Sequence, residues 1–129
     1  MSDYAGDVTA QQAWDMVRDG AVLVDVRTVG EWQQVGVPDV SELGAQAHFI
    51  EWVRAGGVPN PGFGDELAAT GVQPGTPLVF LCRSGQRSIG AAITATQLGL
   101  GPAYNVLEGF EGGGGWKVTG LPWGSPEDA

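Results

Sequence analysis

Two short apolar runs constrain the fold of this chain more than any other feature of its sequence. Residues 21–26 (AVLVDV) and 77–82 (PLVFLC) are rich in valine and leucine and show no regular alternation of polar and apolar side chains. Continuous runs of this kind are typical of strands that are covered on both faces, as in a parallel sheet. We therefore expect both segments to be buried strands.

Helical patterns alternate with these runs and indicate the class of fold. Residues 9–19 have apolar side chains at helical spacing, and a short helix is predicted over residues 64–71. Strands that alternate with helices predict an α/β fold, with a central, mainly parallel sheet and helices on both faces. Residues 88–100 predict a longer helix, and the residues expected on its buried face are Ile89, Ala92, Ile93, Thr96 and Leu100.

Shorter segments complete the predicted order of elements. A further strand is expected over residues 103–109 (AYNVLEG), followed by a final turn of helix within residues 115–123 (GWKVTGLPW). Residues 36–61 are rich in loop-forming residues and contain one candidate strand at residues 48–53 (HFIEWV). Two helix starts carry the spacing of a capping box, namely Thr9 with Gln12 and Thr28 with Glu31.

The length and the charge balance limit the organisation and the partners of the chain. A chain of 129 residues is expected to form one domain. Fifteen acidic and six basic side chains give a net charge of −9, so we expect no nucleic-acid partner, which would require a basic surface. No apolar run approaches the ~20 residues of a membrane span, and the first residues do not form a secretory signal. A cytoplasmic protein with no membrane partner is therefore expected.

The use of cysteine and histidine removes several kinds of site. Cys82 is the only cysteine and His48 the only histidine. A single cysteine excludes an intramolecular disulfide, a C-x-x-C redox pair and a cysteine-rich zinc site. The spacing of the carboxylates suggests no metal site, so we expect neither a metal nor a cofactor. A lone histidine beside FIEWV is more often a half-buried residue with its hydrogen bonds satisfied, and a polar contact of His48 in the pocket is the alternative.

The segment CRSGQRS, residues 82–88, is the main candidate site. Ligands of parallel sheets bind at the carboxyl ends of the strands, and Cys82 is the last residue of a predicted strand. Gly85 permits a tight turn, in which successive N–H groups and the start of the next helix can surround an anion. These groups and the charges of Arg83 and Arg87 favour a thiolate at Cys82. Charge alone leaves a second interpretation open, in which one arginine is a surface residue and the other ends a helix.

With the preceding strand residues LVFL, this segment resembles the active-site loop of the rhodaneses, sulfurtransferases whose cysteine carries a transferable sulfur as a persulfide. Residues 23–32 (LVDVRTVGEW) and 105–123 (NVLEGFEGGGGWKVTGLPW) resemble other motifs of the same family, in the same order and spacing. The resemblance implies a single rhodanese-like three-layer domain over residues 1–129. Its core covers about residues 7–123, and residues 124–129 form a tail.

The resemblance also implies roles for individual residues. Cys82 is expected to be the sulfur-carrying nucleophile. Asp25 and Arg27 are expected to link the loops near the site, with an ordinary surface ion pair as the alternative, and Glu31 is expected to cap a helix. Residues 36–45 (GVPDVSELGA) lack the histidine of the family's usual G-H-I-x-G-A segment, so this loop is expected to differ. The expected substrate-binding residues are Arg83, Ser84, Gly85, Gln86, Arg87 and Ser88.

The length of the loop bears on the choice between two classes of enzyme. Four residues separate Cys82 from Arg87, whereas cysteine phosphatases have one residue more and so leave more room for a tetrahedral phosphate. The shorter loop favours transfer of sulfur from a small anionic donor such as thiosulfate to an acceptor outside the protein: cyanide in an assay, a thiol or a protein in the cell. A phosphatase or arsenate reductase-like activity and a non-catalytic interaction module remain as alternatives.

Overall fold

The computed structural model describes residues 3–126 and confirms the α/β fold. None of the helices in this range is both long and apolar enough to cross a membrane. The strands, in chain order, are β1 (Gly6–Val8), β2 (Val22–Asp25), β3 (Val37–Pro38), β4 (His48–Phe49), β5 (Val53–Arg54), β6 (Val58–Pro59), β7 (Leu78–Leu81), β8 (Ala103–Val106) and β9 (Trp123–Gly124). The α-helices are α1 (Ala10–Arg18), α2 (Val29–Val35), α3 (Phe63–Ala69) and α4 (Arg87–Gln97).

The two apolar runs became the neighbouring strands β2 and β7 of a five-stranded sheet with the order β1–β8–β7–β2–β4. Every neighbouring pair in this sheet is parallel. Asp25 pairs with Leu81, so β2 and β7 end at the same level and the loops that follow them leave from one edge. Two small antiparallel pairs, β3 with β9 and β5 with β6, lie outside this sheet.

Helices cover both faces of the sheet, which confirms the predicted three layers. On one face, α3 and α4 pack against Val24 and Phe80. On the other face, α1 and the turns at residues 107–120 pack against Leu23 and Val79. Burial of one such large apolar side chain stabilises the fold by about 1.5–3 kcal/mol, so the two layers hold the strand ends in fixed positions.

Both predicted capping boxes are present and fix the starts of α1 and α2. The Thr9 hydroxyl accepts a hydrogen bond from the N–H of Gln12, and the Gln12 side chain accepts one from the N–H of Thr9. Thr28 and Glu31 form the same reciprocal pair at the start of α2. Each pair satisfies two backbone N–H groups that a helix start leaves without partners.

The buried face of α4 differs from the predicted one. Its buried residues are Ser88, Ala91, Ala92 and Ala95. Ala92 was placed correctly, but Ile89 and Ile93 are only half-buried and Thr96 is exposed. The helix turns its small side chains to the sheet, which allows it to lie close to β7 and β8. The larger isoleucines therefore lie at the sides of the contact.

The predicted final turn of helix is present as a single turn, in which the N–H of Thr119 donates to the carbonyl of Gly115 at 3.0 Å, four residues earlier. Two other predictions for irregular segments were wrong in detail. The candidate strand at residues 48–53 is divided between β4 and β5. Gly124, the first residue of the predicted tail, belongs to β9. Residues 1–2 of the predicted domain and 127–129 of the predicted tail lie outside the described residues.

Candidate active site

Cys82 follows β7 directly and begins the connection to α4, which continues through the loop at residues 83–86. The strand ends at Leu81, so Cys82 is the first residue after it and not its last residue as expected. Only 1% of its surface is exposed. Its Sγ accepts a hydrogen bond of 3.1 Å from the N–H of Gly85, and the Ser88 hydroxyl oxygen also lies 3.1 Å from this sulfur. The loop therefore bends around the sulfur and directs at least one backbone donor at it.

The shape of this loop depends on close contact with the turn after β8. Gly85 has φ +91°, and a Cβ there would lie 1.9 Å from the carbonyl oxygen of Leu107. Gly109 has φ +60°, and a Cβ there would lie 2.4 Å from the carbonyl oxygen of Cys82. The N–H of Phe110 donates to that same Cys82 carbonyl at 2.8 Å. Both glycines are required because two backbone segments meet without room for a side chain.

Arg87 is joined to Glu31 and is not a free cation. Its guanidinium donates to both carboxylate oxygens of Glu31, at 2.8 and 2.9 Å. Burial raises the pKa of Glu31, but hydrogen bonds from Arg87 and Thr28 outweigh that effect, so the pKa of Glu31 is lowered overall. The hydrogen bond with Glu31 is the main reason why the pKa of Arg87 is raised. Glu31 therefore caps α2, as predicted, and also connects it to α4.

Replacement of Glu31 by glutamine is expected to destabilise the domain at neutral pH by about 1 kcal/mol, after allowance for the partial exposure of the pair. Glutamine retains the cap of α2, so the change isolates the ion pair. Because folding lowers the pKa of Glu31, its stabilisation is complete above the ordinary value of 4.5 and is lost as the pH falls through the folded-state pKa. Urea unfolding at several pH values measures this difference.

The exposed residue Glu42 provides a matched control for this experiment. Glu42→Gln should change the free energy of unfolding by less than about 0.5 kcal/mol at every pH. A Glu31→Gln effect that persists unchanged in acid would contradict the role given to the ion pair.

A cleft of about 520 Å³ borders the loop, and its lining includes three arginines and the Glu31 carboxylate that pairs with Arg87. Arg83, Ser84 and Arg87 line it, together with residues 53–57 from the β5–β6 hairpin. Arg83 and Ser84 also line a neighbouring cleft of about 340 Å³, where Arg83 lies 3.6 Å from Glu111. These clefts bring together three of the six expected substrate-binding residues. The other three are placed differently: Gly85 and Ser88 are buried below, and Gln86 is exposed at the start of α4.

Arg54 is a cleft residue that the sequence interpretation missed. It lies on β5 and lines the larger cleft, and its guanidinium donates a 2.9 Å hydrogen bond to the Asn60 side chain. Within residues 3–126 it forms no ion pair with an acidic side chain, in contrast to Arg83 and Arg87. The signal available in the sequence was its rarity, since the chain has only six basic residues and this one lies in the loop-rich segment.

Asp25 and Arg27 form a fully buried pair, which excludes the alternative of a surface ion pair. Arg27 Nη2 donates to Asp25 at 2.6 Å and to the carbonyl of Gly36 at 2.8 Å. The guanidinium also stacks 4.2 Å from the ring centre of Phe110, in the turn after β8. Arg27 thus connects the end of β2 with the end of α2 at Gly36 and with the turn after β8, where the N–H of Phe110 donates to the Cys82 carbonyl. Its Nη1 atom is buried and has no hydrogen-bond partner within the described part of the chain.

Comparison with known proteins agrees with this fold. A family model described as the STR4 middle domain matches residues 5–129. Rhodanese-like domain-containing protein 4 from the chloroplast of Arabidopsis thaliana is 30% identical over 111 residues, which cover 84% of this chain and 23% of that protein. The chain therefore belongs to the rhodanese-like domains, and among them to the family described as the STR4 middle domain.

Solved structures give the same assignment of fold. The crystal structure of Rv0390 from M. tuberculosis is 50% identical and superposes with a TM-score of 0.87, covering 94% of this chain and 98% of that one. The polysulfide-sulfur transferase homodimer of Wolinella succinogenes is 23% identical, with a TM-score of 0.71, and covers 95% of this chain and 80% of that one. At this low identity, the second likeness concerns the fold alone.

Proposed function

We propose that this domain is a sulfurtransferase that carries a sulfane sulfur as a persulfide on Cys82. The observation that carries the proposal is the placement of the Cys82 sulfur, which accepts a hydrogen bond from Gly85 in the loop that borders a cleft lined by Arg54, Arg83 and Arg87. Backbone donors and positive charge suit both a thiolate and the anionic molecules that would react with it. A small anionic sulfur donor such as thiosulfate is the proposed substrate.

The proposed reaction has two steps, and its electrons balance without an added oxidant. In the first step, the Cys82 thiolate attacks the outer sulfur of thiosulfate. A bond forms between the two sulfurs, the S–S bond of thiosulfate breaks, and sulfite leaves with the electron pair. In the second step, cyanide or another thiophilic acceptor attacks the outer sulfur of the persulfide. The product leaves as thiocyanate, and the Cys82 thiolate is regenerated.

The acceptor in this scheme has to come from another molecule. Because the chain has one cysteine, no second thiol of the same chain can displace the sulfur. An external thiol or a protein acceptor is the proposed physiological partner. The two substrates then react in turn with one site, which predicts ping-pong kinetics.

Steady-state formation of thiocyanate from thiosulfate and cyanide tests this proposal. Double-reciprocal plots at several cyanide concentrations should be parallel, and Cys82→Ser should lose at least about a thousandfold in activity, because no other nucleophile lies at the sulfur position. The matched control is Ser84→Cys on the Cys82→Ser background, which returns a thiol to the loop but not to the site below it. Equal activity of wild-type protein and Cys82→Ser would refute the proposal.

Replacement of Arg54 by glutamine is expected to raise the KM for thiosulfate about three- to tenfold and to change kcat little. The reason is that Arg54 adds a charge-assisted contact to the anionic donor without touching the reacting sulfur. The matched control is Arg18→Gln, since Arg18 is an exposed arginine paired with Asp15 on α1. Equal effects of the two substitutions on KM would show that only the net charge of the protein matters.

A further inference from the structure

A buried polar network contacts the Cys82 sulfur through Ser88, and none of its residues lines the two clefts. Ser88 and Asn105 are both fully buried, and the Ser88 hydroxyl is hydrogen-bonded to Asn105 Oδ1. On its other side, Asn105 Nδ2 donates to the carboxylate of Asp7 at 3.0 Å and to the carbonyl of Gly85 at 3.1 Å. We refer to these three side chains as the Ser88–Asn105–Asp7 network. It connects the buried sulfur to Asp7 at the surface.

The partners of Asn105 decide where the single hydroxyl hydrogen of Ser88 points. Asp7 and the Gly85 carbonyl are acceptors only, so the amide nitrogen of Asn105 has to face them and its oxygen has to face Ser88. That oxygen is an acceptor, so Ser88 donates its hydrogen to Asn105. The Ser88 oxygen then presents a lone pair to the Cys82 sulfur, 3.1 Å away.

A lone pair at this distance acts differently on the possible states of the sulfur. A thiol can donate its own hydrogen to the Ser88 oxygen, and the inner sulfur of a persulfide carries no charge. A thiolate, in contrast, places a full negative charge against the lone pair unless Ser88 gives up its bond to Asn105 and turns its hydrogen to the sulfur. Asn105 therefore competes with the ionised sulfur for one hydrogen.

We propose that Asn105 is a positioning residue that acts through Ser88 to keep negative charge off the buried sulfur, so that the charge is carried by the outer sulfur once the persulfide forms. The part that concerns the persulfide rests on the proposed sulfurtransferase function. The part that concerns ionisation of the thiol does not. A residue outside the loop thereby favours the sulfur-loaded form over the free thiolate.

Other charged groups lie near Cys82, and the test has to separate their effects from that of Asn105. From α4, Arg87 is close enough to attract the ionised thiol, although Glu31 neutralises it. The buried Asp25–Arg27 pair lies at the end of the neighbouring strand β2. Arg83 follows Cys82 in the chain and points to solvent near Glu111. Substitutions at Ser88 and Asn105 leave all of these charges in place, so their contributions cancel in a double-mutant cycle.

The experiment is a pH titration of the ultraviolet absorbance of the Cys82 thiolate, with Cys82→Ser as the blank. Asn105→Ala frees Ser88 to donate to the sulfur and should increase the thiolate fraction below the midpoint by about tenfold. Ser88→Ala removes that donor, so Asn105→Ala should have no effect on the Ser88→Ala background. An equal shift by Asn105→Ala on both backgrounds would overturn the proposal, because a merely structural change of the loop does not need the Ser88 hydroxyl.

Asp7→Asn provides a second test that does not disturb the core, since Asp7 is exposed. The substitution weakens the hydrogen bond between residue 7 and the Asn105 amide. It should increase the thiolate fraction of Cys82 more in the wild-type background than in the Ser88→Ala background. In the Ser88→Ala background only the direct effect of the lost Asp7 charge remains. Equal shifts in the two backgrounds would contradict the proposal. Neither titration uses a sulfur donor. If the variants titrate as predicted but the wild-type protein accepts no sulfur, the proposed function is refuted and the role of Asn105 is not.

Discussion

Replacing Gly85 with alanine is expected to reduce sulfur loading of Cys82 by about a hundredfold, the size of loss that a displacement of about 1 Å in a reacting group can cause. The added Cβ would meet the carbonyl oxygen of Leu107 at 1.9 Å, so one of the two backbone segments has to move. Movement of Gly85 carries away the N–H that donates to the Cys82 sulfur. The rate of persulfide formation, followed by mass spectrometry, measures the loss.

Gly99 supplies the matched control for this substitution. Its φ of +79° lies in the same positive-φ region as the φ of +91° at Gly85. Unlike at Gly85, none of the atoms compared lies within 4 Å of the position that a Cβ would take. Gly99→Ala should therefore cost about 1 kcal/mol of stability, the usual cost of a side chain in this backbone region, and leave the loading rate unchanged. A similar loss of loading in both variants would show that backbone strain alone, and not the contact with Leu107, explains the effect.

Replacing Arg27 with methionine is expected to lower the free energy of unfolding by about 3–5 kcal/mol, because it leaves the Asp25 carboxylate buried without its cation. Both side chains are fully buried, so water cannot replace the lost partner. The change also removes the hydrogen bond to Gly36 and the stacking on Phe110. Urea unfolding of the two proteins measures the difference.

A second substitution distinguishes the buried charge from lost packing. Asp25→Asn combined with Arg27→Met removes both charges and keeps an acceptor for the N–H of Arg27, which is bonded to Asp25 Oδ1 at 3.1 Å. The double variant should recover at least about 1 kcal/mol relative to Arg27→Met, as expected when an unpaired buried charge is removed. A double variant less stable than Arg27→Met would mean that the methionine protein suffers from lost packing and not from the charge of Asp25.

Features that depend on neighbouring residues were predictable from the sequence. The two apolar runs became the neighbouring interior strands β2 and β7 because continuous burial leaves a direct mark on composition. The capping boxes at Thr9 and Thr28 were found because their partners lie only three residues along the chain. The position of the loop between a strand and a helix followed from its own residues.

Features that depend on distant residues were not predictable in this way. The pairing of Glu31 with Arg87 joins residues 56 positions apart, so the capping pattern revealed only half of the role of Glu31. The prediction of the buried face of α4 was wrong because the larger apolar side chains were expected to contact the sheet. The small side chains, mainly alanines, are the buried ones. Arg54 enters the cleft only through the fold of the β5–β6 hairpin.

Asn105 shows that a sequence signal can be present without being used. It is a polar residue within the predicted strand at residues 103–109, where the neighbouring positions Ala103 and Val106 are apolar and buried. A buried amide needs hydrogen-bond partners, and this one finds them in Ser88, Gly85 and Asp7. A polar residue in a buried strand beside a candidate nucleophile could have been included among the site residues.

The most direct test of the central claim is the intact mass of the protein after incubation with thiosulfate and again after addition of cyanide. The proposed mechanism predicts that the wild-type chain gains one sulfur atom, that cyanide removes it as thiocyanate, and that Cys82→Ser gains nothing. A wild-type mass that stays unchanged with thiosulfate, mercaptopyruvate and polysulfide, in protein shown to retain a free Cys82 thiol, would contradict a persulfide carrier at this site.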